Sequence, residues 1–360
     1  MPILQEEFGL EPPLLGVLGS LGFLGYLAAI IASWLATDRF GPRPVAVAAG
    51  MTATLGLAVV AAAPGIAVLA TGIFVAGAST AVIVPPLAVV TGRAGSEART
   101  ERLPNALSAG TAVGVLATPP FALVFLDRWR PAWVGLAAAA AVATVWAYRQ
   151  LPRESTGVSS GYLADDLSRI ADAPRRSAGL ALAAALMGAA SSAVWVFGLY
   201  VAAGHETDGA AGPHWLWLLI GSAALIVLVV RDALMRAGTG LVWRLSMLIL
   251  AAATATFGLA DQRWTLALLA APAFGAAYVL ATGTLVRWGA MLAADRSIDG
   301  IRFALLAIVV GHAIGTAVLG ELLALAEPSR VFNWTAGLAV LAAVLGPRRR
   351  PHRAGPPHPA

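Results

Sequence analysis

The chain is 360 residues long, and its composition excludes an ordinary soluble globular protein. Hydrophobic residues make up 59% of it and charged residues only 12%, against roughly 45–50% and about 25% in soluble domains. The absence of cysteine excludes disulfides and thiolate metal ligands. All 24 basic residues are arginines. Because they lie between apolar runs rather than on one helix face, they indicate membrane topology and not nucleic-acid binding.

Apolar runs with few or no internal charges follow one another along the whole chain. A helix needs about 20 such residues to cross roughly 30 Å of hydrocarbon. In chain order the runs occupy about 13–37, 45–62, 66–90, 103–126, 131–148, 179–203, 214–231, 241–260, 264–286, 302–325 and 329–346. The predicted fold class is therefore all-α, a polytopic membrane protein whose helix bundle has about 11 transmembrane helices.

The arginines are distributed unevenly between the two sides of the predicted membrane. Of the 24, all but four lie in segments on one side, and the four exceptions are Arg128, Arg130, Arg263 and Arg330. By the positive-inside rule, the arginine-rich side is cytoplasmic. We therefore predict a multi-pass protein of the cell membrane with its C-terminus in the cytoplasm and, for the chain as given, its N-terminus outside.

The two halves of the sequence repeat each other with an offset of about 200 residues. The stretches RLPNALSAGTAVG, from Arg102, and RFALLAIVVGHAIG, from Arg302, each place two glycines four residues apart near the end. Five pairs of runs match under this offset, and the run at 179–203 would have its partner before residue 1. Halves of six helices are an architecture of transporters. We therefore expect the coding sequence upstream of Met1 to add about 20–25 apolar residues.

The sequence divides into four predicted parts. Residues 1–150 form an N-terminal helix bundle, and residues 179–346 form a six-helix C-terminal bundle. Residues 151–178 form a cytoplasmic linker, in which the segment 162–173 has apolar residues on one helical face and so favours a surface helix at the inner leaflet. The proline-rich residues 347–360 are expected to form a disordered cytoplasmic tail.

The stretch DRFGPRPV separates the first two apolar runs. It resembles the loop between the second and third helices of the major facilitator superfamily, whose pattern is Gly-x-x-x-Asp-Arg-x-Gly-Arg-Arg/Lys. Asp38, Arg39, Gly41 and Arg43 fit this pattern, whereas Trp34 replaces its first glycine. The resemblance implies a two-half transporter whose residues 1–150 hold family helices two to six. It also implies that the four matching residues form a gating motif.

This motif predicts a contact that closes the inner side of the transporter. Asp38 lies at the inner end of a helix and can face the positive N-terminus of a helix in the other half. The attraction between this carboxylate and the helix dipole stabilises the contact by roughly 0.3–1 kcal/mol. Arg39 and Arg43 can donate to loop carboxylates such as Asp295 or Asp299, while the glycine and proline between them force the turn. The alternative is that the two arginines only anchor the topology.

Burial of an ionisable side chain near the membrane middle costs free energy, so a residue of this kind is interpreted as functional. His312 is therefore the strongest candidate for a residue in the substrate pathway. Thr316 lies one turn on, on the same face, whereas Glu321 is nine residues away and falls on the opposite face. His312 either contacts a substrate or proton in a cavity or forms a hydrogen bond between helices. The sequence leaves both open.

Other polar and aromatic positions within the runs are candidates to line a cavity, although packing alone would also explain each of them. They are Tyr26, Ser33, Ser191, Ser192, Trp195, Tyr200, Tyr278 and Thr282. Trp215, Trp217 and Trp133 lie near the ends of runs and are typical of interfacial anchors. Since so few charges lie within the runs, a neutral or amphipathic organic solute is favoured over a strongly charged one.

The predicted function is secondary active transport of a small organic solute by alternating access, with protons as a candidate coupling ion. Partners are then the substrate and the lipid bilayer, with no nucleic acid, and we expect a monomer without cofactor, metal or catalytic residues. An enzyme has little support, because the pairs Asp295/Asp299 and Asp165/Asp166 are explained by solvated loops. A membrane receptor or scaffold that moves nothing, or a truncated and inactive transporter homologue, stays the alternative.

Overall fold

The computed structural model describes residues 7–92, 110, 113–117, 124–125, 128–151, 174–203, 212–260, 263–292 and 297–347. Ten long helices account for most of these residues: α1 Pro12–Phe40, α2 Pro42–Ala61, α3 Ile66–Gly92, α4 Trp129–Gln150, α5 Pro174–Ala203, α6 Gly212–Met235, α7 Thr239–Gly258, α8 Thr265–Leu292, α9 Ser297–Leu325 and α10 Pro328–Val344. The predicted all-α class is confirmed, and within the described ranges 8 helices are long and apolar enough to cross a membrane.

Three predictions fall largely or wholly outside the described residues. Of the predicted span at 103–126, only short helical pieces such as 113–117 are described, so the predicted number of transmembrane helices stays a prediction. The surface helix at 162–173 lies outside the described residues, as does the tail from residue 348 onward.

The turn between α1 and α2 is tighter than predicted. Helix α1 continues through Asp38 and Arg39 to Phe40, and α2 begins at Pro42, so a single residue connects them. That residue, Gly41, has φ +84° and ψ 171°, a conformation that is essentially restricted to glycine. Proline at the first position of α2 has no N–H and a fixed φ, both of which suit a helix start.

The helices reproduce the repeat. Pairing α1 with α6, α2 with α7, α3 with α8 and α4 with α10 gives starting residues 12 and 212, 42 and 239, 66 and 265, and 129 and 328. The connection between α6 and α7 also contains a glycine with positive φ, Gly238 at +101°, which corresponds to Gly41. Equal spacing of helices and of this turn indicates that both halves fold by the same local rules.

The helices pack in two groups. Helices α1 to α4 pack on one another and form the N-terminal group, and α5 to α10 do the same and form the C-terminal group. The largest core cluster belongs mainly to the C-terminal group, with Phe197, Phe257, Phe274 and Phe332 almost fully buried. Trp243, near the start of α7, belongs to the same cluster and donates from Nε1 to the carbonyl oxygen of Ala342, near the end of α10, at 2.8 Å.

The crossing of α5 and α9 uses small residues. A Cβ atom on Gly311 would collide with the carbonyl of Ala185, and one on Gly315 would lie 2.6 Å from Cα of Ala189. Such contact between backbones is typical of membrane helices, which lack a hydrophobic driving force for association and rely on close packing. This crossing holds the middle of α9, and therefore His312, rigidly against α5.

Candidate functional site

His312 lies in the middle of α9, with 3% of its surface exposed. Its Nδ1 is 2.9 Å from the carbonyl oxygen of Ile308, and its Nε2 is 3.1 Å from Oγ of Ser191 on α5. A carbonyl can only accept, so Nδ1 carries a hydrogen and Nε2 faces the hydroxyl. The histidine therefore makes the interhelical hydrogen bond that the sequence left as one of two alternatives.

The Ser191 hydroxyl suits both protonation states of this imidazole. Its Oγ is also 2.8 Å from the carbonyl oxygen of Met187. When the imidazole is neutral, the hydroxyl can donate to Nε2. When the imidazole is protonated, Nε2 donates to the hydroxyl, which then donates to Met187. These hydrogen bonds can therefore form in either protonation state without movement of a heavy atom.

Five rings from five helices, including that of His312, contact one another in a continuous series. The Phe23 and Tyr278 ring centroids lie 4.7 Å and 6.3 Å from that of the histidine. Tyr278 meets Trp195 edge to face at 5.1 Å, and Trp195 stacks on Trp217 at 5.3 Å. We call Phe23, His312, Tyr278, Trp195 and Trp217 the aromatic series. It runs from α1 through α9, α8 and α5 to α6 and so joins the two groups of helices.

Three of the predicted pathway residues thus come together, and sequence reasoning missed two members of the series. Phe23 is not among the sequence candidates, and Trp217 is there only as an interfacial anchor, whereas its partly exposed ring also stacks on Trp195. Ser191 was considered with its neighbour Ser192, and only the hydroxyl of Ser191 reaches His312. Nothing in the spacing of one helix indicates which face of another helix it meets.

The other predicted pathway residues lie elsewhere. Ser192 is buried where α5 crosses α9 and bonds the carbonyl of Ala189 at 2.7 Å. The Thr282 hydroxyl bonds the carbonyl of Tyr278, one turn back on α8, at 2.8 Å. Glu321 is exposed near the end of α9. Tyr26 is buried on α1, and Tyr200 packs against the C-terminal core.

Thr316 lies in a close crossing of α1 and α9 that joins the two groups. A Cβ atom on Gly16 would lie 2.8 Å from the Thr316 carbonyl oxygen, and one on Gly19 would lie 2.7 Å from the Thr316 methyl group. Ser20 donates to the carbonyl oxygen of Ala313 at 2.8 Å. We call this crossing, with Gly320, the α1–α9 seam. It involves the first half of α1, far from the gating-motif turn.

A second close contact joins the C-terminal group to the short helical piece 113–117. A Cβ atom on Gly221, in the first half of α6, would lie 2.9 Å from the backbone nitrogen of Leu116. Just beyond it, Trp195, Tyr278, Ile220, Ala224 and Val115 line a small cleft between the groups. The α1–α9 seam and the contact of Gly221 with Leu116 therefore both lie beside the aromatic series.

The motif arginines contact aromatic rings of their own group. The guanidinium carbon of Arg43 lies 4.0 Å from the ring centroid of Tyr148 on α4, and that of Arg39 lies 5.3 Å from the Phe40 ring. The side chain of Asp38 lies outside what the structure describes, as do Asp295 and the side chain of Asp299. The predicted bonds between the arginines and these carboxylates therefore stay a prediction.

The sequence model of the Major Facilitator Superfamily matches residues 1–294. The chain belongs to this superfamily. Among solved structures, it is similar to the nucleoside transporter NupG, with 14% identity, a TM-score of 0.73, and coverage of 95% of this chain and 91% of that one. A point mutant of NupG gives 14% identity, a TM-score of 0.74, and coverage of 95% of this chain and 92% of that one. It is also similar to the human organic anion transporter MFSD10, with 18% identity, a TM-score of 0.67, and coverage of 92% of this chain and 83% of that one.

These comparisons give the fold and the general activity. The recognition of the superfamily from the DRFGPRPV stretch is confirmed, and the protein is a multi-pass membrane transporter. At such identities the structures share the fold alone with this chain. No curated protein matches the sequence significantly.

Proposed function

We propose that this superfamily member is a secondary active transporter that moves a small neutral or amphipathic organic solute by alternating access. In this proposal residues 1–150 and 179–346 are the two moving halves, and the solute site lies at the aromatic series between them. The α1–α9 seam carries the proposal, because it is a close contact between the halves that lies to one side of that site.

The proposal assigns each end of the bundle to one side of the cell membrane. The arginine-rich end with the DRFGPR turn is cytoplasmic, and the end with the α1–α9 seam is outside. The conformation with a packed seam is then closed toward the outside. During the cycle the seam opens and Asp38 closes the inner end against the other half.

The uncharged surroundings of the aromatic series favour a neutral solute. Within the described residues, the cleft beside the rings is lined by apolar and aromatic residues and has no carboxylate or arginine in its walls. A charged solute would lose its hydration there without gaining a counter-ion. We infer that His312 is the residue that binds a coupling proton, because the Ser191 hydroxyl and the Ile308 carbonyl oxygen can both accept hydrogen bonds from an imidazolium.

Counterflow in proteoliposomes tests the transport proposal. Vesicles holding purified protein are loaded with an unlabelled solute, and uptake of the labelled solute is followed over a panel of neutral and amphipathic compounds. At least one compound should accumulate transiently above the protein-free level. Movement of none would contradict transport and favour a receptor or scaffold.

Cross-linking tests alternating access in the same vesicles, because the chain has no cysteine and needs no background mutations. The pair Ser20→Cys and Ala313→Cys spans the seam, and a bridge between them should stop counterflow. The matched control is Ser33→Cys with Ala81→Cys, which replaces a similar hydroxyl-to-carbonyl contact within one group, at 3.3 Å. Bridging the control pair should leave counterflow active. Equal effects of both bridges would contradict the rocking of two halves.

A further inference from the structure

Trp195 lies between Tyr278 and Trp217 in the aromatic series and has a hydrogen-bond donor that no described group uses. Its ring stacks on Trp217 at 5.3 Å, and the edges of Phe274 and Tyr278 approach at 5.6 Å and 5.1 Å. Its Nε1 is shielded from solvent and has no hydrogen-bond partner in the described structure. Buried indole N–H groups usually find a partner, so this one calls for an explanation.

The surroundings of Trp195 indicate what such a partner would be. The indole and Tyr278 line the cleft, and the remaining walls come from Val115, Ile220, Ala224, Gly275 and Val279. These walls are aliphatic and carry no charge. They favour a neutral, flat molecule that lies against the rings, and the free N–H requires that this molecule carry a hydrogen-bond acceptor.

The cleft in this conformation is too small for an aromatic ring, which links binding at this site to the transport cycle. In this conformation its free volume is about 10 Å³, roughly the room that one water molecule needs. Val115 belongs to the N-terminal part of the chain and the other six lining residues belong to the C-terminal group, so separation of the two parts widens the cleft. Entry of a ring between Val115 and Trp195 therefore needs the movement that alternating access supplies.

We propose that the substrate is a neutral, planar heteroaromatic molecule whose acceptor atom binds the indole N–H of Trp195. This inference rests on the proposed transport function and names the class of its substrate. Trp195 acts as a specificity-determining residue: it distinguishes flat rings with an acceptor from non-planar and from charged solutes. A non-planar neutral solute loses stacking, and a charged one loses hydration.

Binding to the purified full chain in detergent tests the class without requiring transport. Caffeine is the probe, because it is planar, neutral and rich in acceptors; sorbitol is neutral and non-planar, and benzoate is planar and charged. Equilibrium dialysis should show saturable caffeine binding at least about tenfold tighter than binding of the other two. Equal binding of all three, or no saturable caffeine binding, would overturn the assignment.

Two variants locate the donor. Trp195→Phe removes the free N–H and part of the stacked area, and it should weaken caffeine binding about tenfold. Trp217→Phe removes a similar area from the same stack but keeps Trp195, and it should weaken binding about threefold or less. Thermal unfolding of both variants is measured alongside, so that loss of fold is recognised. Equal weakening by two folded variants would overturn the role of Trp195.

The two proposals fail separately. If the solute panel moves in vesicles while caffeine does not bind, the substrate class is wrong and the transporter stands. If caffeine binds with the expected selectivity but no solute moves, transport is wrong and the chain is a receptor for this class.

Discussion

Gly16 of α1 and Gly320 of α9 lie in backbone contact across the two groups of helices. A Cβ atom on either glycine would lie 3.0 Å from Cα of the other. The same two Cβ atoms would lie 2.8 Å from the carbonyl oxygen of Thr316 and 2.7 Å from that of Pro12, closer than real Cβ atoms approach, so a larger residue at either position forces the helices apart. Only glycine lets α1 and α9 cross here, which is why the seam depends on these two positions.

The first prediction concerns opening of the seam. Gly16→Ala places a Cβ 2.8 Å from the carbonyl oxygen of Thr316, and overpacking of this kind costs about 1–3 kcal/mol. Because the cost falls on the closed seam, the ratio of open to closed molecules should rise about 5- to 150-fold. Maleimide labelling of Ser20→Cys should become correspondingly faster.

The matched control is the same substitution two turns along α1. A Cβ atom on Gly22 would lie 3.6 Å from the Ile73 side chain, an ordinary contact, so Gly22→Ala should leave the labelling rate of Ser20→Cys unchanged. Equal rates in the two alanine variants would show that the seam does not depend on the glycine contact.

The second prediction concerns the gating-motif turn. Gly41 has φ +84° and ψ 171°, so Gly41→Ala strains the backbone and should lower the free energy of unfolding by about 1–3 kcal/mol. Thermal unfolding in detergent measures this. Gly65→Ala is the control, because Gly65 also lies in a turn, with no positive φ and nothing within 4 Å of an added Cβ. Similar melting temperatures would exclude strain at Gly41 as the reason for glycine in the motif.

Features set by neighbouring residues could be predicted from the sequence, and features set by distant ones could not. The helices, their repeat and the turn at Gly41 follow from apolar runs, fixed spacing and the backbone freedom of glycine. The aromatic series brings five helices together. The periodicity of each helix predicts which of its faces is buried but not which other helix that face contacts. Phe23 was therefore missed, and Trp217 was interpreted from its position near a span end alone.

The same limit applies to polar residues. His312 could be selected because an ionisable group in an apolar run is unusual by itself. Its partner Ser191 could not be separated from Ser192, since adjacent residues differ by 100° around α5 and only the crossing angle with α9 decides between them. Arg43 likewise fits a family motif, while its contact with Tyr148 depends on how α4 packs.

The third prediction concerns a charged cluster at the seam end of the N-terminal group. Glu7 accepts hydrogen bonds from Nε1 of Trp129 at 2.6 Å and from Arg130, whose guanidinium also bonds the carbonyl of Ala63 at 2.9 Å. The bonds from Arg130, followed by that from Trp129, hold the pKa of Glu7 below its ordinary value near 4.5. They tie the segment before α1 to the start of α4.

A group whose pKa is lowered by folding stabilises the folded state above its unfolded pKa and loses this effect as the pH falls through its folded pKa. The thermal stability of the protein should therefore fall below about pH 4.5, and Glu7→Gln should reduce that fall by removing the titrating group. The control is Glu11→Gln, which changes an exposed glutamate at the start of α1. An unchanged pH profile in Glu7→Gln would mean that the cluster does not contribute to folding.

The last prediction concerns the coupling proton. Because His312 can donate from Nδ1 and either accept or donate at Nε2, it can hold a proton, whereas His312→Gln keeps polar contacts without titrating. For a solute that moves in counterflow, the variant should lose accumulation driven by an imposed pH gradient and retain exchange at equal pH. Ser191→Ala keeps the imidazole but removes its hydroxyl partner, so its accumulation should be reduced and not abolished. Full pH-driven accumulation by His312→Gln would exclude His312 as the coupling site.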